Sequence, residues 1–149
     1  MKIKTSRFGE IEIDKDSIVT MPDGMLGFSE IKQYVLVKHD EKSPFIWYQA
    51  VEEPGLAFVI TDPFAFFPDY EVGLTQEDLD ALDCHDTRDL AVFVVVVIPE
   101  NAEQMTANLR GPIVINTANR IARQVVLTDE RYSPNQSLIQ AIKDLAKNP

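Results

Sequence analysis

Three metal-ligating residue types stand together at Asp83-Cys84-His85-Asp86. Thiolate, imidazole and carboxylate are the groups that hold zinc, and a thiol beside an imidazole is the pair that cysteine nucleophiles use. The spacing argues against both chemistries. Zinc sites separate their ligands by intervals such as C-x2-C or H-x3-H. Direct neighbours on an extended chain point to opposite faces and seldom bring sulfur and imidazole into hydrogen-bond geometry. Cys84 is the one cysteine, and the one other histidine, His39, is remote in sequence. The tetrapeptide therefore reads first as a solvated link from a helix to a strand, with metal binding the lesser alternative. No catalytic residue, metal or cofactor is expected. The chain has no G-x-S-x-G, H-E-x-x-H or kinase signature, and glycines 9, 24, 27, 55, 73 and 111 build no phosphate-cradling loop. With 24 acidic residues, no single carboxylate pair stands out as acid and base.

Two other segments have chemistry suited to contact rather than catalysis. Thr61-Asp62-Pro63-Phe64-Ala65-Phe66-Phe67-Pro68-Asp69-Tyr70 packs four aromatics around two prolines that bar it from a central strand. Aromatics on a stiff loop anchor protein interfaces. On the other reading, Phe64, Phe66 and Phe67 fold back to plug the end of a barrel, and Tyr70 stays exposed. The second segment is Thr106-Ala107-Asn108-Leu109-Arg110-Gly111-Pro112, where Asn108 can bond local backbone and Gly111-Pro112 favours an extended entry into a hairpin.

Charge narrows the partners. Fourteen basic against 24 acidic residues give a net charge of -10, which repels phosphate backbones. Direct nucleic-acid binding is not expected; a basic protein would be attracted, although acidity also serves solubility alone. The longest apolar run, Leu90 to Ile98, is far short of the ~20 residues that a transmembrane helix requires. The N-terminus has no apolar signal segment, and a lone cysteine suits a reducing compartment, so a cytoplasmic protein without membrane association is expected.

The elements that must position these segments are mostly strands, within one domain covering 1–149. Gly9 to Asp14 alternates polar and apolar residues, while Tyr34–Lys38, Phe45–Val51 and Ala57–Thr61 are β-branched and aromatic. Leu90–Ile98, with five valines, reads as a strand buried on both faces. Ile113–Ile115 and Ile121–Thr128 read as a hairpin. Met21-Pro22-Asp23-Gly24 has turn chemistry. A short helix is predicted over 75–83, opened by Thr75 and acids in its first turn. A second is predicted over 136–147 from Leu138, Ile139, Ile142, Leu145 and Ala146. The fold class is mainly β, a small antiparallel barrel or sandwich with short helices, one of them C-terminal.

In order and spacing, Met21-Pro22-Asp23-Gly24-Met25-Leu26-Gly27-Phe28, Asp62-Pro63 through Tyr70, Thr106 through Asn116 and Gln124-Val125-Val126-Leu127 resemble the FliW family of flagellar assembly factors. Two departures are Met21, where an aromatic is expected, and Arg110-Gly111, in place of a small apolar pair; both are read as turn or edge positions. The resemblance implies a compact, mostly antiparallel β-barrel without enzymatic activity. It implies binding to CsrA, a small RNA-binding regulator that represses flagellin translation, and to flagellin itself, in a feedback loop. The candidate partner contacts are Phe66, Phe67, Asp69, Tyr70, Asn108 and Leu109. The alternatives are a flagellin-specific chaperone with no regulator role, and a small β-barrel enzyme using His85 or His39.

Overall fold

The structure, a computed structural model, describes residues 1–147. In chain order the strands are β1 (Lys2–Thr5), β2 (Gly9–Glu12), β3 (Val19–Thr20), β4 (Gln33–Val37), β5 (Phe45–Ala50), β6 (Ala57–Thr61), β7 (Leu90–Val97), β8 (Thr106–Ala107), β9 (Ile113–Asn116), β10 (Ile121–Gln124) and β11 (Gln136–Ser137). The α-helices are α1 (Gln76–Ala81) and α2 (Leu138–Lys147). β1 and β2 form a hairpin of their own. The remaining strands make a nine-stranded sheet, and because β7 also pairs with β9, the path β7-β6-β5-β4-β3-β10-β9 returns to its start. The sheet is thus ring-like, and the fold is mainly β with short helices, one of them C-terminal, as expected. Its pairings are antiparallel except at β3–β10, a parallel contact of Thr20 with Ile121.

The ring separates two apolar regions, and residue alternation assigns side chains to each. Tyr34, Tyr48, Ile60, Ile113 and Ile115 belong to one cluster. Val94, Val96 and Val114, the alternate residues of β7 and β9, belong to a second with Tyr70, Leu82, Leu109 and Leu138. The second cluster is roofed by the 62–74 segment, α1 and α2, so β7 and β9 carry apolar residues on both faces. For β7 that holds only through Val96: Val97 is 60% and Ile98 47% exposed, against the expectation of burial over the whole run. A third cluster, Ile3, Ile13, Val35 and Val51, seats the β1–β2 hairpin on β4 and β5.

Local chemistry fixes the turns. The Gly24 amide bonds the Met21 carbonyl at 2.9 Å, closing the expected turn. Gly24 sits at φ +66, and a Cβ there would lie 2.5 Å from the Phe28 carbonyl oxygen, so no larger residue fits. Met21 is fully buried in the core rather than at an edge. Thr75 caps α1 in a reciprocal box with Asp78.

Several boundaries differ from the sequence reading, among them α1, which spans Gln76–Ala81 rather than 75–83. β10 stops at Gln124, although the Val125 and Leu127 amides still bond the carbonyls of Pro112 and Arg110. β2 ends at Glu12, two residues before Asp14. α2 begins at Leu138, because Gln136 and Ser137 pair with β8 instead. Of its apolar stripe, Leu138 and Ala141 are buried, but Ile142 is 45% and Leu145 37% exposed.

Tyr34 and Tyr48 stack face to face in the first cluster, ring centroids 4.5 Å apart, each fully buried. Burial disfavours the phenolate, and the Tyr34 phenol is pushed from 10.0 up to about 12. The Tyr48 phenol is raised further, by burial and by its neighbour Tyr34. The unfolded chain therefore releases these protons before the folded one does, so it is the unfolded state that gains from rising pH. Stability to urea should be independent of this pair below pH 10 and fall steadily from pH 10.0 toward 12. Tyr34→Phe should flatten that decline; an unchanged alkaline slope in the variant would contradict the assignment.

Candidate functional site: a groove on the outer face of the ring

β6 ends at Thr61, and the chain turns at once. The Asp62 carboxylate accepts the Phe64 amide at 2.9 Å, and Pro63 supplies the first position of a single helical turn. The Phe66 and Phe67 amides both bond the Pro63 carbonyl, and the Tyr70 amide bonds the Phe67 carbonyl. The loop is thus rigid, which fixes its rings. Phe66 lies nearly parallel to Phe45 at 6.4 Å, and Tyr70 meets Tyr132 edge-on at 4.7 Å.

The sequence reading of this loop is reversed at its two ends. Tyr70, expected outside, is buried at 5% exposure, and its hydroxyl donates to the Leu109 carbonyl. Phe64, expected to be a plug, is 43% exposed. Phe66 and Phe67 are half-buried against the second cluster, as plugs would be. Burial, with a lesser contribution from Tyr132, raises the Tyr70 phenol, which keeps it a hydrogen-bond donor.

Phe66, Phe67, Pro68 and Asp69 form one wall of a groove of about 540 Å³. Gln140, Ala141, Asp144 and Leu145 of α2 form the facing wall, and Tyr70, Leu109 and Tyr132 line it between them. Arg131 also lines the groove, but its guanidinium is engaged by Asp129 at 2.7 Å and Glu71 at 3.3 Å. Hydrogen bonds from Arg131 hold the Asp129 carboxyl below the usual range. The Glu71 amide bonds the Tyr132 hydroxyl at 2.8 Å, tying the end of the loop to the segment that leads into α2.

Of the residues singled out in the sequence, Phe66, Phe67, Asp69, Tyr70 and Leu109 come together here, although Tyr70 and Leu109 are 39 positions apart in sequence. Asn108 does not line the groove. Its side-chain oxygen accepts the amides of Arg110 and Gly111 at 3.1 and 3.0 Å, the local backbone role its type suggested. A Cβ at Gly111 would lie 3.1 Å from the Asn108 amide nitrogen, so this turn is packed tightly. The α2 wall and Tyr132 were not foreseen: the helix stripe was legible, but not which part of it would stay uncovered.

The Asp83–Asp86 stretch is dispersed. Cys84 is half-buried in the second cluster, the His85 side chain is 90% exposed with Nε2 3.4 Å from Asp83, and Asp86 pairs with Arg88 at 2.8 Å. His39 instead packs against Phe8, ring centroids 5.3 Å apart. Among the described residues no three His, Cys, Asp or Glu side chains are grouped to hold a metal ion.

The model of the FliW protein family matches residues 2–138 of the chain. The chain belongs to the FliW family. It is 42% identical to the flagellar assembly factor FliW of Alkaliphilus metalliredigens over 97% of its own length and 90% of that protein. With the same factor of Syntrophus aciditrophicus it shares 46% identity, over 89% and 84% of the two chains. A crystal structure of the flagellar assembly factor FliW superposes with a TM-score of 0.86 at 39% identity, covering 93% of this chain and 96% of that one. The four segments noted in the sequence fall within the matched range.

Tyr70→Phe tests how the groove is built. It leaves the ring stack intact but deprives the buried Leu109 carbonyl of its donor, which costs about 1–3 kcal/mol. Urea denaturation should show a lowered midpoint with an unchanged slope; an unaltered midpoint would mean that the bond contributes nothing.

Proposed function

We propose that this chain is a single-domain, non-enzymatic protein of the cytoplasm that binds a CsrA-like RNA-binding regulator and so relieves repression of flagellin translation. Flagellin is its second partner: when flagellin is abundant it occupies the protein and leaves the regulator free to repress. Membership of the FliW family is the observation that carries this reading. The charge of -10 supports it independently, because such a chain attracts a basic RNA-binding protein while its own acids repel RNA. Phe66, Phe67, Asp69, Tyr70 and Leu109 are proposed to serve the contact, the buried pair by shaping the groove and the others by touching the partner. Asn108 serves it by holding the turn beneath Leu109. The half-buried, unpaired Cys84 is compatible with a reducing compartment.

Once docked, the acids displace RNA through space. At ~0.15 M ionic strength charge is screened over about 8 Å, so only carboxylates close to the RNA path contribute. RNA release should therefore weaken as salt rises, while apolar docking persists.

A gel-shift titration tests the reading: the protein is added to a preformed complex of a CsrA homologue with flagellin leader RNA. Free RNA should appear, and added flagellin should restore the complex. RNA that stays bound at a clear excess of folded protein would refute the regulator role. Flagellin binding in that case would favour a chaperone confined to flagellin.

A further inference from the structure

We infer that Arg131 is the positioning residue that holds the groove between the aromatic loop and α2 in shape. The inference rests on the reading of this groove as the partner contact and names the residue that keeps it fit for that role. A circuit of bonds frames the groove. The Tyr70 hydroxyl donates to the Leu109 carbonyl, the Leu109 amide bonds the Ser133 carbonyl at 3.0 Å, and the Glu71 amide bonds the Tyr132 hydroxyl at 2.8 Å. Tyr70 and Glu71 are neighbours in the chain, as are Tyr132 and Ser133, so the circuit closes. Its corners are unequal. The Tyr70–Leu109 corner is buried, whereas the Glu71–Tyr132 corner is exposed, where water competes for the bond.

Arg131 braces the exposed corner. Its Nη2 lies 2.7 Å from Asp129 and 3.3 Å from Glu71, so one nitrogen joins the two carboxylates. Nε adds bonds of 3.1 and 3.0 Å to the Asp129 carboxylate, which also accepts the Arg131 amide at 3.0 Å. The guanidinium is thus aimed by its own turn before it meets Glu71, 60 residues away in sequence. It also sits 5.2 Å over the Tyr132 ring, the ring that meets Tyr70 edge-on at 4.7 Å. A lone exposed ion pair contributes little, but a forked arginine within a network of charges holds its geometry. Lysine has no such fork.

The place of Arg131 gives the brace its consequence. A second cavity, of about 250 Å³, is bounded by Glu71, Val72, Gly73, Leu127, Thr128 and Asp129, and Arg131 lines it as well as the groove. Among the described residues it is the one member common to both linings, so its side chain is the partition between them. Without it, the Glu71 end of the loop is free to part from Tyr132, and the groove opens into the second cavity. The buried Tyr70–Leu109 bond and the apolar cluster beneath stay in place, so the change is a local opening rather than unfolding. Walls held ready in this way bind a partner more tightly than walls that must first be ordered.

Amide hydrogen exchange and titration with a CsrA homologue, both on the full chain, test the brace together. In Arg131→Ala the Glu71 amide should exchange at least about tenfold faster, with the β5 and β6 amides and the urea midpoint unchanged. Affinity for the CsrA homologue should fall about tenfold, although the variant is more acidic and simple attraction of a basic partner predicts the opposite. Arg131→Lys should restore neither value. Glu71→Gln should reproduce both effects and add nothing to them in the double variant. Arg88→Ala, which breaks the pair with Asp86 outside the groove, should change neither. Unchanged exchange at Glu71 in Arg131→Ala would overturn the brace, and unchanged affinity would overturn its role at the contact. Lower affinity with unchanged exchange would mean that Arg131 touches the partner itself, and a lowered urea midpoint would make it a general support. Either result contradicts the inference. If the wild-type chain binds no CsrA homologue, the regulator reading fails, and exchange at Glu71 alone decides the brace.

Discussion

A single strand with both edges occupied holds this molecule together. Along one edge of β7, Val94, Val95 and Val96 pair with β6. Along the other, Leu90 to Phe93 pair with β9 and Val96 and Val97 with β8. Without the β7–β9 pairing the sheet would be open, with β9 as an unprotected edge. With it, the ring closes around Tyr34, Tyr48 and Ile60, and an outer face of alternate valines is left to be covered. That double demand explains why the sequence places so many valines together: the strand is apolar wherever both faces are roofed and stays so for two residues beyond.

The outer face is where two of the segments singled out in the sequence, the aromatic loop and the Asn108 turn, converge. β6 delivers the aromatic loop to it, β8 and the Asn108 turn deliver Leu109, and the chain after β10 delivers Tyr132 and α2. The Tyr70 hydroxyl, bonded to the Leu109 carbonyl, joins the first two of these, and the Glu71 amide, bonded to the Tyr132 hydroxyl, joins the first to the third. The first of these links is buried and costly when half made, so it favours one arrangement of the loop over others. The result is a rigid apolar wall opposite a helix whose stripe is only partly covered.

Much of this was legible in the residues, for identifiable reasons. β5 and β6 are recognised nearly to the residue because their composition and flanking turns act locally. The capping box of α1 is likewise a local signal. β3, β8 and β11 are two residues each and exist only because a partner strand lies beside them, so no periodicity announces them. For the same reason α2 starts two residues late: the pairing of Gln136 and Ser137 with β8 outweighs helix propensity there. The clustering of aromatics marked the loop as unusual. Which rings would face inward depended on Leu109, distant in sequence, and on this point composition misleads: the tyrosine with a polar tip is inside, because its tip has a partner, while Phe64 is out.

The central claim is that this outer face, and not another surface, meets the protein partner. Leu26, Phe28 and Val126 are exposed apolar residues outside the groove, at 60%, 40% and 60%, and they are the natural competitor. Backbone amide shifts followed by NMR during titration with a CsrA homologue distinguish the two directly. The account predicts perturbations gathered at Phe66–Asp69, Tyr132 and Gln140–Leu145, with Leu26, Phe28 and Val126 unmoved. Perturbations confined to Leu26, Phe28 and Val126, with the groove silent, would contradict it.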